Sequence, residues 1–222
     1  MPFLISKEGL DSADRIQLGI SYALQLAMYV FFLMAVYRHQ WLNAVAILAI
    51  LVLTFVPGLL RRNYRIFVPI EFDFIAIIFI FAALFLGEMQ GYYTQFWWWD
   101  ILLHTTSGFL LGIVGFLLVY ILNEEKSVQV KLKAGFVALF SFTFALALGA
   151  LWEIFEFSMD YFFGLNMQKS GLYDTMGDLM VDTIGAAVIA VVGYFYIRRK
   201  KVLLLERIIT RFVERNPSLF KR

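Results

Sequence analysis

The chain has 222 residues and a formal charge of +2, with 61% hydrophobic, 18% aromatic and only 16% charged residues. A soluble domain carries about 25% charged residues and under half apolar ones, so a soluble globular fold is excluded and an integral membrane protein is indicated. The absence of cysteine excludes disulfides, thiolate catalysis and sulfur ligands, and two histidines leave any metal site mostly to oxygen.

Residues 1–16 are mixed in charge, with Lys7, Glu8, Asp11, Asp14 and Arg15. The first apolar run ends at Arg38-His39-Gln40 without a small-x-small cleavage pattern, so Ile16 to Tyr37 reads as a retained first span. Five further segments are long enough to cross a bilayer, each needing about 20 residues. They are Trp41 to Leu60 (interrupted by Pro57-Gly58), Phe67 to Gly87, Phe96 to Leu122, Ala134 to Phe163 and Gly177 to Ile197. The alternating short strands of a closed barrel are missing from the pattern, so the spans are predicted to be helices. The fold class is therefore all-α, a polytopic bundle of six transmembrane helices. A transmembrane domain over 1–197 is expected, followed by a basic tail over 198–222.

Basic residues set the orientation. With the N-terminus inside, 17 of the 19 lysines and arginines fall on the cytoplasmic side, and only Arg38 and Lys169 fall outside. Both termini are thus expected to be cytoplasmic. In the tail, Leu204-Leu205, Ile208-Ile209 and Phe212-Val213 recur every four residues, with Arg207, Arg211 and Arg215 on another stripe. This predicts an amphipathic helix ended by Asn216-Pro217, lying on anionic lipid of the inner leaflet or packing on loops of its own protein. No nucleic-acid partner is expected.

Under this orientation Glu88, Asp100, Glu153, Glu156, Asp160, Asp174, Asp178 and Asp182 gather at the outward ends of spans three to six. They are eight of the seventeen acids. At 1.5 Å per residue, His104 lies about 27 Å from Leu122, Glu153 about 28 Å from Ala134, and Asp182 about 24 Å from Arg198. Three helices then carry polar groups at one depth. Asp100, His104 and Ser107 follow i, i+4, i+7; Glu153, Glu156 and Asp160 follow i, i+3, i+7; Asp174, Asp178 and Asp182 follow i, i+4, i+8. Each set makes one stripe. Gly108 with Gly112, and Gly177 with Gly185, offer small faces for close helix approach. An ionised acid facing lipid costs at least about 2.5–3.5 kcal/mol, so the stripes must face one another or a wet cavity. Trp97 to Trp99 read as an interfacial belt, and Glu71 and Asp73 as ion-pair anchors near Arg61, Arg62 and Arg65.

Such a cluster needs protons or cations to balance its charge. One imidazole among many carboxylates suits Mg, Mn, Fe or Ca better than Zn. Glu153, Glu156, Asp178 and Asp182 are the candidate metal ligands. Asp100 and His104 are a candidate acid/base pair or further ligands, and Ser107, Asp160 and Asp174 candidate supports behind them. The spacings match neither a glycine-rich phosphate loop nor the helical HExxH or ExxH metal motifs.

WWWDILLHTTSG at 97–108, ALWEIFEF at 150–157 and DTMGDLMVDTIGA at 174–186 together resemble the YjdF-like family of uncharacterised inner-membrane proteins. The likeness covers the outer halves of spans four to six. The chain is also similar, more distantly, to VanZ-like membrane proteins, which place Asp-x3-His on one helix, Glu on a second and an Asp-rich start on a third. Glu156 stands where those chains tend to carry glutamine. The resemblance implies an all-helical inner-membrane protein with a polar site built from these residues, and it brings no reaction. The residues themselves leave three functions open. One is a divalent-metal hydrolase or transferase acting on a lipid or lipid-linked headgroup. Another is a proton- or cation-coupled transporter, and the third a bundle whose acids are structural.

Overall fold

A computed structural model describes residues 11–56, 70–124, 131–199, 210–212, 214 and 216. All regular structure among them is helical. Helix α1 spans Ser12–Tyr37 and opens with a capping box. The Asp11 carboxylate accepts the Asp14 N–H at 2.8 Å, while Asp14 accepts the Asp11 N–H at 3.1 Å. The helix stops at Arg38 because His39 adopts a left-handed φ of 56°, and α2, Trp41–Leu53, starts after this short turn. Helix α3, Ile70–Ile80, continues in wider π-helical turns over Phe81–Met89, and a single-turn α4 follows at Tyr92–Gln95. Then come α5 at Trp99–Glu124, α6 at Ala134–Phe163 and α7 at Leu172–Arg199.

Five helical stretches are long and apolar enough to cross a membrane: Ser12–Tyr37, Ile70–Met89, Trp99–Tyr120, Ala134–Phe163 and Leu172–Arg198. Trp41–Leu53 is a shorter apolar helix. The protein is an all-helical polytopic membrane protein, as its hydropathy predicts. The end of the predicted second span (57–60), the start of the third (67–69), Arg61, Arg62 and Arg65, and most of the predicted tail helix lie outside the described residues.

The described residues form two compact units that divide between Phe96 and Trp97. In the first, Met28 and Ala35 of α1 share a buried seam with Ala44, Ile47 and Ile50 of α2 and with Phe85. Ser21, Met28 and Ala35 recur every seven residues, which keeps this seam on one face of α1.

The second unit is a bundle of α5, α6 and α7 in which every pair packs together. Its centre is filled by Ile113, Phe116, Val137, Ala145, Ala186 and Ile189, all buried. Apolar side chains such as Leu139, Leu151, Ile154, Ile184 and Val191 stay exposed, as lipid-facing positions should. Two features let α5 and α7 touch backbone to backbone. A Cβ on Gly108 would sit 2.4 Å from the Asp182 carbonyl oxygen, and one on Gly185 would sit 2.4 Å from that of Thr105. Gly112 likewise faces Ile189, whereas a Cβ on Gly177 would meet nothing within 4 Å, so the small face predicted there is not used. On the other side of α5, the buried Ser141 hydroxyl of α6 donates to the Gly112 carbonyl at 2.7 Å.

Between α6 and α7 the chain turns through Gly164 and Gly171, both at positive φ (66° and 61°). The Asp160 carboxylate accepts the Met167 and Gln168 N–H groups at 2.7 and 2.8 Å and so folds this connection back over the end of α6. Helix α7 begins at Leu172, before the predicted span start at Gly177, so Asp174 is helical and not in a loop.

Candidate functional site

All three polar stripes lie within the second unit and meet at one end of it, where α5 begins, α6 ends and α7 begins. His104 of α5 is the centre. Its Nε2 stands 3.7 Å from Asp100 Oδ1, 3.9 Å from Glu153 Oε1 and 3.9 Å from Asp178 Oδ2. Each of the three helices thus supplies a carboxylate facing one nitrogen, at distances too long for hydrogen bonds.

The other ring nitrogen is held differently. Nδ1 lies 3.5 Å from Asp182 Oδ2. An ionised carboxylate can only accept, so a hydrogen on Nδ1 would be donated to Asp182 in this contact. Asp182 is only 1% exposed and is itself fixed, because Ser107 Oγ lies 2.8 Å from its Oδ1. Ser107 is also 2.8 Å from the His104 carbonyl. Gly149 of α6 makes room for this arrangement, since a Cβ there would stand 2.5 Å from Asp182 Oδ2.

Glu153 is the unusual member. It is 3% exposed, and neither carboxylate oxygen has a hydrogen-bond partner. The Thr175 side chain of α7 lies beside this carboxylate. A buried carboxylate with both oxygens unpartnered is costly, and such groups are rare in folded proteins.

The remaining predicted residues surround this core. Glu156 is buried, and its Oε1 accepts the Trp152 indole N–H at 2.9 Å. Asp174 accepts the Lys169 N–H at 3.1 Å, and Asp160 holds the α6–α7 connection rather than touching His104. Three contributors escaped sequence reasoning: Gly149, Thr175 and Lys169. Lys169 sends its ammonium 3.0 Å from Asp100 Oδ2. Its position as the lone lysine in an acidic region was the available signal.

Asp100, His104 and Asp178 each offer a ligand atom, and these atoms all lie within 4.8 Å of one another. Two ligands about 2.0–2.2 Å from a shared ion can be at most about 4.4 Å apart, so closing by about 0.4 Å would let one ion bridge them. At the same end of the bundle, Trp97, Tyr161, Phe162, Phe163 and Tyr173 are exposed aromatics, a composition typical of the membrane–water boundary.

An "Uncharacterized protein" of Thermotoga maritima is 27% identical over 115 residues, which are 52% of this chain. The chain spans 57% of that relative's length. No solved structure matches the chain. The model of the family described as "Predicted membrane protein (DUF2238)", the YjdF-like family of the resemblance, matches residues 19–199, and the chain belongs to this family.

Proposed function

We propose that this cluster is a divalent-cation site at the outer membrane boundary that acts on a lipid or lipid-linked headgroup. The single observation behind the reading is Glu153, whose two oxygens are buried without a hydrogen-bond partner and whose Oε1 faces the same nitrogen as Asp100 and Asp178. Asp100, His104 Nε2 and Asp178 would hold the ion, and Glu153 would complete the set. Asp182 and Ser107 would orient the imidazole, as carboxylates commonly do behind a ligating histidine. Glu156 borders this set. An oxygen-rich set with one imidazole suits Mg, Mn or Fe. A bound divalent ion would supply Lewis acidity toward a phosphoryl or carbonyl oxygen. The exposed aromatic ring at the mouth would seat the protein where headgroups lie.

The test is release of phosphate or free headgroup from defined lipids in nanodiscs with Mn2+ or Mg2+ added. Turnover that disappears in Glu153→Gln and with chelator is expected. The competing reading is transport, which requires a polar path through the bundle. Inward of the site, Phe116 stacks on Tyr120 at 5.7 Å between ring centroids and meets Tyr196 edge-on at 6.0 Å. This packing favours a site open on one side only. Cation uptake into proteoliposomes, with no headgroup released, would transfer the assignment to transport.

We also place the chain in the cell inner membrane with both termini cytoplasmic, on the distribution of its basic residues. Single cysteines introduced at residue 2 and at residue 222 of this cysteine-free chain should resist an impermeant maleimide in intact cells. Labelling of both would reverse the orientation, and labelling of one alone would put the termini on opposite sides.

A further inference from the structure

The α6–α7 connection is tied to all three helices of the bundle. The Asp160 carboxylate of α6 holds its Met167 and Gln168 N–H groups. Gln168 Nε2 donates to Thr175 Oγ1 of α7 at 2.5 Å, and the Lys169 N–H donates to Asp174 at 3.1 Å. Toward α5, the Lys169 ammonium lies on Asp100 Oδ2 at 3.0 Å. This last tie uses a residue of the cation site, whose other oxygen, Oδ1, faces His104 Nε2. The strap turns at Gly164 and Gly171, which have positive φ and nothing within 4 Å of a Cβ.

We propose that Lys169 is a tethered competitor for the site, so that divalent-cation binding at Asp100 and closure of the 164–171 strap oppose each other. The inference rests on reading the cluster as a cation site. An ion bound through Asp100 Oδ1 would share one carboxylate with the ammonium, so the two positive charges would repel each other. It would also draw off the carboxylate charge that holds the ammonium. Among the described residues of α5, α6 and the 164–171 strap, Lys169 is the one arginine or lysine at this end of the bundle. Binding an ion would therefore loosen the strap's tie to α5 while its ties to α6 and α7 remain.

The test uses full-length protein in nanodiscs and Zn2+, a tight-binding and diamagnetic probe. Ser170, which is exposed, is replaced by cysteine and spin-labelled; no other cysteine interferes. In the otherwise unaltered protein, Zn2+ should increase the mobile fraction of the label. Lys169→Ala should be mobile before Zn2+ is added, should not respond to it, and should bind it about fivefold more tightly. Lys169→Arg should behave as the parent does. If the parent binds Zn2+ and Asp178→Ala loses it, yet Lys169→Ala binds no more tightly and the label ignores Zn2+, competition is refuted while the cation site stands. If no variant binds Zn2+, both fall.

Discussion

Glu153→Met is expected to stabilise the bundle in the presence of chelator and to remove divalent-cation binding at the same time. The carboxylate is buried with two unpartnered oxygens, and an apolar side chain of similar length fills the same space without desolvating a charge. The gain should be about 1–3 kcal/mol, the usual cost of an unsatisfied buried polar group. Thermal unfolding in detergent, followed with and without metal, reads both effects. A bundle held together by its acids makes the opposite forecast, in which Glu153→Met lowers stability because His104 loses a counter-charge. Opposite signs in one variant make this a sharp division between a functional site and a structural one.

The second large effect concerns the α5–α7 crossing. Gly108→Ala and Gly185→Ala each bring a methyl group to 2.4 Å from a backbone carbonyl, and a carbonyl held in a helix cannot rotate aside. The helices must separate, at a cost of about 1–3 kcal/mol for each change and a larger loss for the pair. Gly108→Ala also displaces the Asp182 backbone, so it should weaken cation binding even where folded protein survives. Gly177→Ala is the control. With nothing near its Cβ, it should lie within about 0.5 kcal/mol of the parent. Fluorescence-detected size-exclusion chromatography after a heating series ranks the four proteins. A Gly185→Ala variant as stable as Gly177→Ala would contradict the close crossing.

The spans and the three stripes were legible in the sequence for one physical reason. A helix in hydrocarbon must hide its polar groups, so Asp100, His104 and Ser107 announce their shared face through spacing alone. Which carboxylate meets which nitrogen was not legible, because that depends on helix rotation and on offsets of an ångström or less. Glu153 and Glu156 are nearly alike in sequence, yet three residues along a helix turn the side chain by about 60°. One faces His104 and the other accepts from Trp152. Asp178 and Asp182 share one stripe in the sequence, yet Asp178 faces Nε2 of His104 and Asp182 lies on Nδ1. Gly177 shows the limit of small-residue patterns. A glycine allows close approach only where another backbone lies opposite, as it does for Gly108 and Gly185. Gly149, four residues before Glu153, gave no pattern to read, because the room it leaves for Asp182 exists only after three helices assemble.

The most direct test of the central claim is elemental analysis by mass spectrometry of detergent-purified protein, with His104→Ala and Asp178→Ala prepared in parallel. A divalent metal near one equivalent in the parent, lost in both variants, is the predicted result. A parent that carries no metal even after reloading, or variants that retain all of it, would contradict a cation site centred on His104.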